Sequence, residues 1–292
     1  MFGTYFGKYL ESKGILTNEQ YTELILADQN KRVKMGLLAV ESGLMTTKQA
    51  DEVNRLQQVQ DRRFGDIAVE KGYLTEEQVG ELLKKQGDGY LLFVQTLVDN
   101  QILTLDEIQK ELKAYQEEEQ FTDEDLDAMK SCDIDRIVPV LIRESKVTPF
   151  ITDYIALVMR NMVRFIDRNF RMGHIERING YVASFFAGQE LVGDYQVLTG
   201  FSGTDLGIKR IAEIYAKEEF SKVDMDVLDA ISEFLNCNNG LFATKLSHQD
   251  VELDMCPPIM QDTQITIQAE GNMFKLPLFI NDQQVDLIIR LL

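Results

Sequence analysis

The sequence predicts an α+β protein of two domains: an all-helical N-terminal part, and a C-terminal part with helices on one face of an antiparallel sheet. Three observations predict it. A segment pattern recurs with a 29-residue period through the first 115 positions. Beyond about Lys146, long helical patterns alternate with β-rich runs. Between them lies an acidic stretch, QEEEQFTDEDLD, with short helical patterns after it. The chain has 292 residues and 45% of them are apolar, so each part has material for its own core. The expected organisation is a helical repeat domain at 1–115, an acidic helical connector at 116–145, and an α/β domain at 146–292.

The repeats read FGKYLESKGILTNEQ from Phe6, MGLLAVESGLMTTKQ from Met35, FGDIAVEKGYLTEEQ from Phe64 and FVQTLVDNQILTLDE from Phe93. Each opens with an amphipathic helix pattern, and in the first three copies it stops at Gly14, Gly43 or Gly72, glycine being the common residue just past a helix end. A second helix then starts at a threonine followed three residues later by Gln or Glu: Thr17 with Gln20, Thr46 with Gln49, Thr75 with Gln78, Thr104 with Glu107. That spacing lets side chains and backbone cap each other reciprocally. The fourth copy has Val94 and Gln101 where the others have glycine, which predicts a terminal capping unit.

In the C-terminal part a helix is expected from Pro149 to about Phe170, with Thr148 as its cap and Pro149 at the favoured first position. Strands are expected at 176–186 and 194–201, and helices at 204–218 and 225–238. The remaining β-rich runs, VELDM, TQITIQAE and KLPLFINDQQVDLIIRLL, complete the sheet.

The last helix carries the strongest candidate for chemistry. Asp229, Glu233 and Asn236 are spaced four and three apart, which at about 100° per residue puts them on one face. Val227, Ala230, Ile231 and Phe234 fall on the opposite face and turn the polar trio outward. This segment resembles the signature of the CheC/CheX/FliY chemotaxis phosphatases, an Asp or Ser, then Glu, then Asn at these spacings, followed by a proline. Here Pro258 follows Asn236 with 21 residues between, and Pro257 with 20. PFITDYIALVMRNM is similar to the family's first long helix, and VELDMCPPIM to its strand with a following proline. Some members carry the motif twice. At the equivalent place in the first helix Asp153 is followed by Leu157 and Arg160, so this chain has one copy, a pattern closest to CheX.

The resemblance implies a CheX-like domain that hydrolyses the aspartyl phosphate of a CheY-like response regulator. Asn236 would position the attacking water, Glu233 would pair with the regulator's active-site lysine, and Asp229 would support them. No cofactor of its own is implied, and Mg2+ is expected on the partner. Dimerisation is implied by the resemblance alone.

The N-terminal copies resemble the N-terminal domains of type II secretion and pilus ATPases, whose tandem units can bind cyclic di-GMP. The third copy matches best, through Arg63, Gly65, Gly72, Leu83 and Gln86. The others have Tyr5, Lys34 or Leu92 in place of the arginine. A docking or regulatory module without a small ligand, its Phe or Met with Gly serving packing, stands beside this reading.

A formal net charge of −18 argues against a nucleic-acid polymer as partner. Three scattered cysteines, Cys132, Cys237 and Cys256, indicate neither a disulfide framework nor a zinc site, and no run is long enough to insert into a membrane, so a cytoplasmic location is expected. His174 and His248 have no cysteine or carboxylate at ligand spacing. Three functions stay open: a response-regulator phosphatase in chemotaxis or two-component signalling, a non-catalytic CheX-like adaptor, and a cyclic di-GMP sensor acting through the repeats.

Overall fold

The computed structural model describes residues 2–26, 33–60, 62–84, 89–142 and 147–292, leaving out the side chains of 58–60 and 270. It divides into two compact units, Met1–Cys132 and Asp133–Leu292. The division falls inside the stretch expected as a connector. Its first helix therefore belongs to unit 1 and its second to unit 2.

Unit 1 is helical: α1 Phe2–Ser12, α2 Asn18–Leu26, α3 Met35–Glu41, α4 Thr47–Gln60, α5 Phe64–Glu70, α6 Glu76–Lys84, α7 Gly89–Asp99, α8 Leu105–Glu118 and α9 Asp123–Lys130. The helices α2, α4, α6 and α8 start 29 residues apart, each behind a reciprocal cap. Gln20 N donates to Thr17 Oγ1 at 3.1 Å while Thr17 N donates to Gln20 Oε1 at 2.9 Å. The same pair of bonds joins Thr46 with Gln49, Thr75 with Gln78 and Thr104 with Glu107. The preceding helices end on left-handed residues at the same interval: Gly14, Gly43, Gly72 and Gln101, with φ of 70°, 67°, 71° and 56°. At each one, two backbone bonds close the helix end, as in Gly14 N to Glu11 O at 2.9 Å and Ile15 N to Leu10 O at 3.0 Å.

The fourth copy is not a cap. Its first helix, α7, buries Tyr90, Leu91, Phe93, Val94, Gln95 and Leu97 and packs against α1, α2, α3 and α8. A terminal cap needs a polar outer face, which a helix contacted by four others does not have. Aromatic rings fill the junction: Phe2 meets Tyr90 edge-on at 4.9 Å, and Tyr9 meets Tyr115 at 5.1 Å.

Unit 2 comprises α10 Ile134–Leu141, α11 Pro149–Asn161, a π-helical turn Met162–Ile166, β1 Arg171–Met172, β2 Glu176–Ala183, β3 Phe186–Gly193, β4 Val197–Gly203, α12 Asp205–Ala216, α13 Met225–Ser247, β5 Leu253–Met255, β6 Ile259–Gln261, β7 Ile265–Ile280 and β8 Gln283–Leu291. The strands pair antiparallel in the order β1-β7-β8-β4-β3-β5, with β2 also on β7 and β6 also on β3. The β7–β8 hairpin turns at Asn281 and Asp282, both at positive φ, which suits the right-handed twist of the strands.

Side chains alternate across the sheet. Phe201 meets Phe234 of α13 at 5.9 Å, so its face of β4 is the helix-bearing one. Leu198 and Ile288 lie on the other face, where they join Ala183, Phe186, Ile267 and Met273 in a second small core. The sheet thus curls over its own outer face, and helices are not its only cover.

Three expected boundaries move. The first long helix stops short of Phe170, because Asp167 turns extended and its Oδ1 takes the backbone N–H of Asn169 at 2.8 Å. The strand expected at 176–186 ends at Ala183, where the chain leaves β7 and starts β3 beside β4. The α13 helix passes Asn238 and continues to Ser247, since Asn238 and Asn239, expected near its end, are fully buried partners in its packing.

Candidate functional site

The helix α13 is capped by Asp224, whose Oδ1 accepts from Asp226 N at 3.2 Å, and it packs on β3, β5, β6, α11 and α12. Val227, Leu228, Ile231, Phe234 and Leu235 are buried. That leaves Asp229, Glu233 and Asn236 on one exposed face, as their spacing requires. Among the described residues, no hydrogen bond or ion pair engages the carboxylates of Asp229 and Glu233. They are held by helix geometry alone. Burial raises the Tyr215 hydroxyl above its usual range, and the nearby Cys237 and Glu233 add to the effect.

Asn236 differs from the two acids because it is braced from beneath. Its Oδ1 accepts from Gln189 Nε2 at 3.0 Å, and the same nitrogen donates to the Cys256 carbonyl at 2.8 Å. Gln189 Oε1 accepts from Asn239 Nδ2 at 2.8 Å, and Asn239 Oδ1 accepts from Tyr154 OH at 2.8 Å. Thr199 Oγ1 bonds Asn239 at 3.2–3.3 Å. The chain of amides and hydroxyls runs from α11 through α13 to β3, and only its last member, Asn236, is exposed. Burial holds the Tyr154 hydroxyl far above its usual range, so it stays a donor at any ordinary pH.

The prolines of the motif have a structural place here. Pro257 and Pro258 fall between β5 and β6, both paired to β3. At the break Cys256 N bonds Glu190 O at 2.9 Å, and the Cys256 carbonyl turns in to meet Gln189.

On the first long helix the corresponding residues are committed elsewhere. Asp153 pairs with Lys245 of α13 at 2.7 Å, and Arg160 pairs with Asp135 of α10.

The candidates of unit 1 are placed as follows. Arg63 is the exposed N-cap residue of α5, and its side chain makes no capping bond. A Cβ on Gly65 would come within 2.9 Å of Val79 Cγ1, so this glycine permits the contact between α5 and α6. Gly72 closes α5 in the left-handed conformation. Leu83 is half exposed, and Gln86 lies outside the described residues. Gly65 thus has a packing role and Gly72 a backbone one.

Sequence reasoning missed Gln189. It sits on β3, which was not expected as a separate strand, and its partners are 47 to 67 positions away in the sequence. Among the described residues there is no group of three His, Cys, Asp or Glu side chains that could hold a metal, and no helix is long and apolar enough to cross a membrane.

No protein-family model and no curated protein matches the chain. Three solved structures similar to it each match about half of its length. A CheC-like superfamily protein from Shewanella sp. PV-4 is 17% identical, with 49% of this chain and 97% of that chain covered at a TM-score of 0.43. The chemotaxis protein CheX from Desulfovibrio desulfuricans is 14% identical over 50% and 100% of the two chains, also at 0.43. CheX from Borrelia burgdorferi, in a CheX–CheY–BeF3–Mg2+ complex, is 16% identical over 49% and 97%, at 0.38.

Proposed function

We propose that unit 2 is a protein aspartyl-phosphate phosphatase acting on a CheY-like response regulator, with Glu233 and Asn236 on α13 as its working residues. The observation that carries this reading is the exposure of an uncommitted carboxylate and a braced carboxamide side by side on one helix face, at the spacing of the phosphatase signature. In the reaction, the oxygen of a water attacks phosphorus and the P–O bond to the regulator's aspartate breaks. The products are a free carboxylate and inorganic phosphate, which retains the water's protons. The regulator brings its own Mg2+ and lysine, so this chain has only to dock and to orient the water.

Glu233 docks, its charge available to an ammonium on the partner. Asn236 orients, since a carboxamide both donates and accepts without acting as a strong base. Asp229 lies one turn upstream and adds negative charge to the docking face. The test is the dephosphorylation rate of a full panel of phosphorylated response regulators from the same genome, with wild type beside Glu233→Ala and Asn236→Ala. Acceleration of one regulator that is lost in both variants establishes the activity. A wild type that accelerates none refutes it, and a binding role without catalysis replaces it.

A further inference from the structure

We infer that Gln189 is a positioning residue of this phosphatase: it fixes the plane of the Asn236 carboxamide, so that the amide is set before the regulator docks. The inference rests on the function proposed above and adds a residue that the signature does not contain.

An exposed asparagine on a helix ordinarily turns freely about its last side-chain bond, and each turn exchanges donor for acceptor at the surface. Asn236 does not have that freedom. Gln189 Nε2 takes one lone pair of its Oδ1 at 3.0 Å, which leaves the other lone pair and both Nδ2 hydrogens for water and phosphoryl oxygens. The brace is itself fixed at every polar position. Gln189 is 2% exposed, its second Nε2 hydrogen goes to the Cys256 carbonyl, and its Oε1 receives Asn239 Nδ2, so it cannot flip without losing three bonds. Asn239 is pinned in turn by Tyr154 and Thr199. Preorganisation of this kind acts on the chemical step, because an amide already aligned need not be ordered in the transition state. Docking runs through Glu233, which shares no hydrogen bond with Gln189 among the described residues, and it is unaffected.

The experiment measures kcat and KM for dephosphorylation of the responding regulator by wild type, Gln189→Met, Gln189→Glu, Asn236→Ala and the double variant Gln189→Met/Asn236→Ala. Methionine keeps the volume and removes the donor. Glutamate keeps the acceptor for Asn239, gives up the bond to the Cys256 carbonyl, and replaces the donor toward Asn236 with an acceptor, which turns the amide over. The expected result is a kcat lower by roughly tenfold in both Gln189 variants with KM unchanged, and no further loss in the double variant relative to Asn236→Ala. Multiplying losses, or a KM that rises with kcat constant, would show general damage and overturn the assignment. So would Gln189 variants that keep the wild-type kcat while Asn236→Ala is dead, an outcome that leaves the phosphatase standing. A wild type that accelerates no regulator removes the function and this inference together. If Gln189→Met does not fold, Gln189→Glu decides by the same kcat and KM split.

Discussion

The two long helices of unit 2, α11 and α13, pack against each other and carry polar residues at comparable spacing, yet they use them in opposite ways. On α11, Asp153 and Arg160 are consumed by Lys245 and Asp135. On α13, Asp229 and Glu233 meet no cation among the described residues, and Asn236 is supported only on its inner side. The same chemistry is structural where the fold supplies the counter-charge and free for a partner where it does not. What separates the helices is thus the surroundings of their side chains as much as the side chains themselves.

The sharpest way to break this comparison is Asn236→Ala. It should cost about 100-fold in regulator dephosphorylation, near 3 kcal/mol, with the melting temperature lowered only slightly, because the exposed site lets water replace the amide on the Gln189 donor. Placing the missing residues on α11, as Leu157→Glu with Arg160→Asn, should not rescue that variant, since α11 has no glutamine brace at the new amide. Recovery of activity in the same assay would show that spacing alone makes the site.

Stability gives a smaller effect. Tyr154→Phe removes the donor to the buried Asn239 and should cost about 1–2 kcal/mol in urea unfolding. The buried hydroxyl of Tyr154 and the half-buried hydroxyl of Tyr181 both titrate above the ordinary value of 10.0, mainly through desolvation. A group whose folded pKa is raised contributes stability that is complete below its unfolded pKa and is lost as pH rises through the folded one. The protein should therefore lose stability above pH 10, and Tyr154→Phe should flatten that loss. The smallest effect belongs to unit 1, where Gln101→Gly relieves a left-handed side chain and should stabilise by about 0.5–1 kcal/mol in the same experiment.

The features legible in the sequence were those written within a few residues. The four Thr caps, the left-handed closures and the outward face of α13 all follow from local spacing, and each is present. What was not legible depends on distant partners. Asn238–Asn239–Gly240 reads as a helix stop, but Asn161, Gln189, Thr199 and Tyr154 satisfy both asparagines and the helix runs through. The strand β3 escaped notice because FAGQELVG alternates poorly. It faces helices with Gln189, and on its outer side Gly188 lies beneath the Phe186 ring. The fourth repeat reads as an end because Val94 and Gln101 replace glycines, whereas α7 is packed against α1, α2, α3 and α8.

The proline break between β5 and β6 has a consequence for how another protein can be received here. Strand addition needs a run of free backbone N–H and C=O groups along a sheet edge. Each of these edge strands is three residues long, and the two residues before β6 carry no N–H at all. This margin of the sheet offers a strand donor no run longer than three residues. A visitor to α13 is therefore read through side chains, and the exposed helix face does not bring with it a template for intermolecular sheet growth.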